Sequence, residues 1–424
     1  MHMRTKEIEA IGELAGEALA AGGTLIKETH EGIAGRAFGA VGPMGAPVRA
    51  VHDRVTGSVY SGVSRALRAA GESAGRAAAK NARSDGPSLA STPGGAFGLA
   101  VLNGFYGDRL TAARSELAID MAIRDPSAAE TTPRLAVFVH GLCETDEAWL
   151  GFPPVRSRAT YGERLQRDLG LTPLHVRYNT GLHVSENGAQ LARSLEELVA
   201  GWPLEVQDLV LVGHSMGGLV ARSACHYGEA EQHRWTDVVR HVFCLGTPHL
   251  GADLEKGANA LAWALGRLPE TRALSKLINA RSTGIKDLRF GSCVEEDWCD
   301  CDVDEFMRDR CNEVPFLPDA NYYFIGSTLT PEPVGRLLGD LLVRMPSASG
   351  RGNGRGRRIP FEVDKGYELS GLTHFDLLNH DAVYEQIKKW IGGAGSHATR
   401  PAAAHAPPLG VVHAPPRLQT HPDG

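Results

Sequence analysis

The chain has 424 residues, of which 42% are hydrophobic and 22% charged, and this composition is typical of a globular protein with a sizeable core. Its net charge of −6 gives no basic surface for nucleic acid, and no run of residues is long and apolar enough to span a membrane. Seven cysteines at low density do not indicate a disulfide-stabilised secreted scaffold. Glutamates interrupt the N-terminal segment, so we expect no signal peptide and a cytoplasmic protein.

The N-terminal region, residues 1–90, is rich in alanine and glycine and has helical periodicity. The apolar positions of its two predicted stripes are Ile8, Ile11, Leu14, Val51, Val55, Val59 and Val63. We expect a helical hairpin that buries both stripes against the rest of the molecule. The alternative is peripheral contact with a membrane or another lipid surface, although the acidic first segment disfavours anionic membranes.

Residues 96–392 form the predicted catalytic domain, in which short apolar strands alternate with helical stretches. The predicted strands are Leu135–Val139, Leu174–Tyr178, Leu209–Val212, His241–Leu245 and Tyr322–Ile325, preceded by a half-buried strand at Glu116–Arg124. The predicted helices between the apolar strands are 159–169, 186–200 and 216–228. This alternation predicts an α/β fold with a mostly parallel central sheet and helices on both faces.

Two further segments depart from the alternation. Residues 252–311, with helical stretches at 255–267 and 270–288, lie between predicted strands and indicate a helical, cap-like insertion. The last residues, 393–424, are rich in proline and alanine and predict a disordered tail.

The strongest motif is Gly213-His-Ser215-Met-Gly217, which follows a predicted strand and opens a predicted helix. Small residues on both sides let the chain turn sharply, so that a serine nucleophile stands exposed above the sheet. An earlier strand ends in His140-Gly141-Leu142. The backbone N–H groups of Leu142 and Met216 are therefore candidate donors of an oxyanion hole.

These two motifs, together with Leu245-Gly-Thr-Pro-His-Leu-Gly251, resemble those of α/β-hydrolase-fold serine lipases and esterases. The resemblance is closest to bacterial lipases and to hydrolases similar to GPI inositol-deacylases, and it covers roughly residues 134–392. It implies an α/β-hydrolase fold for that part of the chain, to which the sequence pattern adds the cap-like insertion and an extra N-terminal helical region that the resemblance does not explain. It also implies hydrolysis of an apolar carboxylic ester through a Ser-His-Asp triad, without a metal or an organic cofactor.

The chain order of this fold puts the catalytic base last, just before the final helix. His374 lies in such a position, ahead of a predicted helix at Ala382–Ile391, and is the candidate base. His380 is the alternative base, although packing at the helix N-terminus accounts for it better.

The candidate acid is Asp340, because its surroundings resemble the D-G-x-V stretch of lipases. Leu341 replaces the usual glycine of that stretch. Asp364 is the alternative acid, and its charged neighbours indicate a solvated hairpin. With Ser215 and His374, Asp340 completes the predicted triad.

Four cysteines of the insertion, Cys293, Cys299, Cys301 and Cys311, lack the paired spacing of a zinc knuckle. We expect free thiols there, with a zinc site and a disulfide as alternatives.

Three functions compete on these motifs. Ester hydrolysis is the first, and acyl transfer to an alcohol through the same triad is the second. The third is a catalytically silent hydrolase fold that binds a surface, which the complete set of catalytic residue types disfavours.

Overall fold

The computed structural model describes residues 4–42, 46–80, 82, 88–125, 130–150, 159–267, 271–330, 339–340, 342–352 and 357–393. The predicted disordered tail lies outside the described residues apart from Gly393, and Leu341 lies outside them as well.

Seven strands form one sheet. In chain order they are β1 (Ala122–Arg124), β2 (Arg134–Val139), β3 (Thr172–Arg177), β4 (Asp208–His214), β5 (Val239–Leu245), β6 (Asn321–Thr328) and β7 (Gly366–Ser370). Their spatial order is β1-β3-β2-β4-β5-β6-β7, and every neighbouring pair is parallel except β1 with β3. This order is that of the α/β-hydrolase fold and confirms the predicted fold class.

Helices precede the sheet, cover it and interrupt it. They are α1 (Thr5–Val41), α2 (Ala46–Ala79), α3 (Pro93–Ala112), α4 (Tyr161–Leu169), α5 (Val184–Gly201), α6 (Met216–Ala230), α7 (Asp253–Gly266), α8 (Arg272–Asn279), α9 (Thr283–Asp287), α10 (Met345–Ala348) and α11 (Asp381–Gly393). Alternate residues of β2 belong to different cores, with Leu135 and Val137 on the α5–α6 side and Phe138 on the α4–α11 side. Both faces are therefore buried, which explains why the strands are continuously apolar.

The five predicted apolar strands correspond to β2 through β6, with ends that differ by a few residues. The predicted strand at Glu116–Arg124 is wrong over most of its length, because only Ala122–Arg124 pairs with the sheet. Its first part is a turn instead, in which the N–H of Ala118 donates to the carbonyl of Ser115. Leu117 is buried there against α3, not against the sheet.

The predicted helix at 270–288 is two helices, α8 and α9. The break lies at Ser282, whose side chain accepts a hydrogen bond from the N–H of Ile285 and so begins α9. The segment that follows belongs to the body of the domain, since Leu288, Cys293 and Val294 lie in the core beside α6. Of the predicted insertion, only α7 and α8 are therefore candidates for a cap.

Helices α1 and α2 form an antiparallel hairpin whose backbones meet at glycines. A Cβ atom added to Gly12 would lie 2.5 Å from the Cα of Gly75, and one added to Gly71 would lie 2.5 Å from the Cα of Gly16. No side chain larger than hydrogen fits at these positions. The hairpin is tied to the rest of the chain by Glu7, whose carboxylate accepts a hydrogen bond from the N–H of Leu89 at 2.9 Å.

The expectation that both apolar stripes are buried is wrong for the second stripe, and in the first Ile8 and Leu14 are half-buried while Ile11 is exposed. The side chains of Val51, Val55, Val59 and Val63 are 46% to 64% exposed. The glycines, not the valines, form the contact with α1, because backbone packing leaves no space for larger side chains between the helices. The valines therefore face outward.

The glycine contact gives a first prediction. Replacing Gly71 by alanine should destabilise the hairpin by about 1–2 kcal/mol, because the overpacking cost exceeds the gain in helix propensity. Gly57→Ala, in the same helix but with open space around the added methyl group, should instead stabilise it by up to about 1 kcal/mol. Amide hydrogen exchange of α1 and α2 measures both effects. Equal protection in the two variants would contradict the proposed role of the glycine contact.

Candidate active site

The turn between β4 and α6 puts Ser215 in a backbone conformation that non-glycine residues rarely adopt, with φ 53° and ψ −123°. The turn is tight because glycines flank it. A Cβ atom on Gly217 would lie 2.2 Å from the carbonyl oxygen of Val139. The N–H of Ser215 donates to the carbonyl of Leu245 at 2.8 Å, so the serine lies beside the carboxyl end of β5.

Asp340 and His374 form a direct pair. The Nδ1 atom of His374 lies 2.7 Å from Oδ2 of Asp340, and the two residues are 2% and 1% exposed. The other carboxylate oxygen of Asp340 accepts hydrogen bonds from the N–H groups of Leu342 at 3.1 Å and Val343 at 2.8 Å. These bonds hold the carboxylate in place, and the carboxylate in turn orients the imidazole ring.

The two alternative residues lie elsewhere. His380 sits at the start of α11, where its N–H donates to the hydroxyl of Tyr161 and its ring nitrogen accepts from the N–H of Ala382. Asp364 is exposed in the short 3₁₀ helix Val363–Lys365. The structure thus brings Asp340, not Asp364, to His374.

The ring of His374 packs against the turn that follows β5. A Cβ atom on Gly246 would lie 3.0 Å from Cε1 of that ring, and the preceding residue, Leu245, is the one that accepts the N–H of Ser215. Within the described residues, the buried Nε2 atom of His374 has no hydrogen-bond partner. Ser215 and His374 therefore flank one strand end without a hydrogen bond between them.

The loop after β2 forms another wall of the site. A Cβ atom on Gly141 would lie 3.0 Å from Cβ of Ser215. The carbonyl of Gly141 accepts from the N–H of Glu144 at 3.3 Å, and this directs the N–H of Leu142, in the same trans peptide, the opposite way. In the described parts of the chain, the N–H groups of Leu142 and Met216 form no hydrogen bond with other residues.

The sequence analysis missed two buried residues at the site, Glu144 and His214. Oε2 of Glu144 accepts from the N–H of Gly141 at 2.7 Å and lies 3.3 Å from Nδ1 of His214. Nε2 of His214 lies 3.1 Å from the carbonyl oxygen of His374. The available signal was a carboxylate closely following the His-Gly motif, together with a histidine next to the nucleophile.

The charges of this pair support each other. Burial acts to lower the pKa of His214, but the charge and hydrogen bond of Glu144 raise that pKa above its usual value. Burial likewise acts to raise the pKa of Glu144, while the charge and hydrogen bond of His214 lower it overall. Both directions favour a buried ion pair.

All seven cysteines are free thiols in the structure, and Cys293 is buried while Cys299 is exposed. Within the described ranges, no group of three or more histidine, cysteine, aspartate or glutamate side chains could hold a metal ion. Among the helices that the structure describes, none has the length and apolarity that crossing a membrane requires.

Comparison with known proteins agrees with the fold. A family model, the PGAP1-like alpha/beta domain, matches residues 159–303 and confirms the resemblance stated from the motifs. None of the curated protein sequences matches the chain significantly.

Several solved structures are similar over most of their length. A Bacillus licheniformis lipase in its mature form is 18% identical, with a TM-score of 0.41, and the match covers 64% of this chain and 97% of that one. The lipase of Staphylococcus hyicus is 15% identical, with a TM-score of 0.35 and coverage of 64% and 98%. A thermophilic esterase of Thermogutta terrifontis is 13% identical, with a TM-score of 0.36 and coverage of 65% and 94%.

The backbone at Ser215 gives a second prediction. Ser215→Gly should raise the free energy of unfolding by about 1 kcal/mol relative to Ser215→Ala, because glycine adopts the observed φ and ψ without strain. Urea unfolding of the two variants measures the difference. A glycine variant no more stable than the alanine variant would show that the turn is not strained.

Proposed function

We propose that this protein is a serine hydrolase that cleaves carboxylic esters, with Ser215 as nucleophile, His374 as base and Asp340 as the orienting acid. The observation that carries the proposal is the buried 2.7 Å contact between His374 and Asp340, next to a serine held in a nucleophile turn. This constellation is what acyl transfer needs, since a serine hydroxyl attacks only when a base takes its proton.

The roles follow from the contacts. Because Nδ1 of His374 faces Asp340, Nε2 is the nitrogen that accepts the proton of Ser215 as its Oγ attacks the ester carbonyl. The N–H groups of Leu142 and Met216 stabilise the negative oxygen of the tetrahedral intermediate. The protonated His374 then gives its proton to the departing alkoxide, which leaves an acyl-enzyme. Water, deprotonated by the same nitrogen, hydrolyses the acyl-enzyme and restores Ser215.

The substrate class is an apolar ester, and the candidate cap supports this. Helices α7 and α8 follow the turn after β5 and expose large apolar side chains. These are Leu254, Leu261, Trp263, Leu274 and Leu277. A surface of this kind on a water-exposed helix pair suits contact with an acyl chain.

A third prediction tests the triad. Ser215→Ala and His374→Ala should each lower kcat for p-nitrophenyl esters by about 10⁴-fold or more, because triad members act as a unit. Asp340→Asn should cost about 10⁴-fold, because the amide disturbs the tautomer of His374. The matched controls are His380→Gln and Asp364→Asn, which should retain activity. Activity lost in a control but kept in its triad counterpart would reassign that residue.

Covalent labelling separates this function from a silent fold. A fluorophosphonate should modify the wild type at Ser215 and leave Ser215→Ala unlabelled, as read by intact mass. Added alcohol distinguishes hydrolysis from acyl transfer, since an acyltransferase would convert the chromogenic ester mainly to the new ester. A wild-type protein that neither labels nor turns over any ester from acetate to palmitate would refute the proposal.

A fourth prediction concerns the cap. Leu261→Lys and Leu277→Lys should reduce kcat/KM for the palmitate ester by about tenfold while leaving the acetate ester within about twofold, because each removes apolar contact with a long chain only. Val363→Lys, an exposed apolar position outside α7 and α8, is the control. Equal losses for both esters would contradict the assignment of α7 and α8 as a cap.

A further inference from the structure

The carboxylate of Glu144 connects the three segments that carry the proposed catalytic groups. It accepts the N–H of Gly141 at 2.7 Å, in the loop that presents Leu142. It also lies 3.3 Å from the ring of His214, the residue before Ser215. The other ring nitrogen of His214, Nε2, lies 3.1 Å from the carbonyl oxygen of His374, so the chain of contacts extends to the loop that carries the proposed base.

The contacts of His214 determine its protonation. Its Nδ1 faces a carboxylate oxygen and its Nε2 faces a backbone carbonyl, and both of these groups accept hydrogen bonds. A neutral imidazole has one N–H, whereas an imidazolium has two. When Glu144 is ionised, as the lowered pKa of its carboxyl favours, both contacts are hydrogen bonds only if the ring is an imidazolium. His214 is fully buried, so an unpaired charge there would be costly.

We propose that Glu144 and His214 are positioning residues that hold the oxyanion loop, the nucleophile turn and the base loop in register through a buried ion pair. This inference rests on the proposed function. Neither side chain takes part in the bond changes. Since the reacting atoms come from three separate segments, a displacement of about 1 Å in any one of them could cost on the order of 10²-fold in rate.

Other ionisable groups adjoin the pair. Asp340 favours the charged form of His214, and His140 favours that of Glu144. The ring of His374 lies 4.7 Å from that of His214, while Trp149 and Phe375 are aromatic neighbours without charge. The surroundings thus contain the base and its acid, and a titration must be assigned to His214 by its own signal.

The pKa directions fix the pH range of the pair. Because the pKa of His214 is raised in the folded protein, protonation of this ring contributes fully to the free energy of unfolding below its unfolded pKa of about 6.5. That contribution is lost as pH rises through the folded pKa. Because the pKa of Glu144 is lowered in the folded protein, ionisation of this carboxyl contributes fully to the free energy of unfolding above its unfolded pKa of about 4.3. That contribution is lost as pH falls through the folded pKa. Deprotonation of His214 should therefore lower kcat as pH rises through its folded pKa.

The fifth prediction uses Glu144→Gln and His214→Gln in the full chain. Each should lower kcat by about 100-fold and leave KM within about twofold, because positioning of the reacting groups is lost while substrate binding is not. In Glu144→Gln this decline in kcat should also move to lower pH, since neutral glutamine no longer favours the imidazolium.

Asp287→Asn is the matched control. It breaks another buried histidine–carboxylate pair, in which Nδ1 of His183 lies 3.0 Å from Asp287, and it should lower stability without changing kcat. Equal kcat losses in Asp287→Asn and Glu144→Gln would overturn the proposal, because loss of any buried histidine–carboxylate pair would then lower kcat, whatever its distance from Ser215.

The state of His214 is read directly by ¹⁵N NMR of the histidine rings at pH 7, with its ring signals assigned in the wild-type chain by correlation to the backbone of His214. Two protonated ring nitrogens in the wild type support the proposal, and a neutral ring overturns it even if the glutamine variants do not fold. A folded Glu144→Gln with wild-type kcat also overturns it. The NMR reading does not depend on turnover, so failure of the proposed function, seen as no labelling of Ser215, remains distinguishable.

Discussion

The chain can present Ser215 to its neighbours only because it reverses direction within a very short distance between β4 and α6. One tight constraint is at Gly217, where even one methyl group would overlap the end of β2. That contact brings the helix N-terminus against the strand that leads to Gly141 and Leu142. It also sets Ser215 beside the end of β5, against which the ring of His374 packs. The other parts of the site are arranged around this turn.

Much of the fold could be predicted, because strands buried on both faces of a sheet consist almost entirely of apolar residues, and such runs are visible in the sequence. The strands β2 through β6 are continuous apolar runs, and their parallel pairing follows from the helices between them. The strand β7 was not predicted, because this edge strand is short, begins with glycine and carries polar residues. The alternation at Glu116–Arg124 was misleading, since a turn that buries Leu117 against α3 produces the same pattern.

The candidate site, likewise, has some residues that could be predicted from the sequence and others that could not. Ser215, Leu142 and Met216 belong to local motifs, and His374 and Asp340 follow from the chain order of a fold that those motifs identify. Glu144 and His214 are 70 residues apart, and His214 contacts the carbonyl of a residue 160 positions away. Such a contact depends on how three loops meet, and no spacing within one sequence encodes it. Periodicity likewise correctly placed the four valines of α2 on one face, but it carried no information on whether another element covers that face.

The glycine contact between α1 and α2 separates two properties that are usually linked. In most helix pairs the side chains that set the distance between helices are the same ones that determine stability. Here backbone atoms at Gly12, Gly16, Gly71 and Gly75 set that distance. The outward residues are thus free to vary without changing the geometry of the hairpin. The exposed residues of the hairpin can therefore be substituted in evolution with little loss of folding stability, provided that the four glycines are retained.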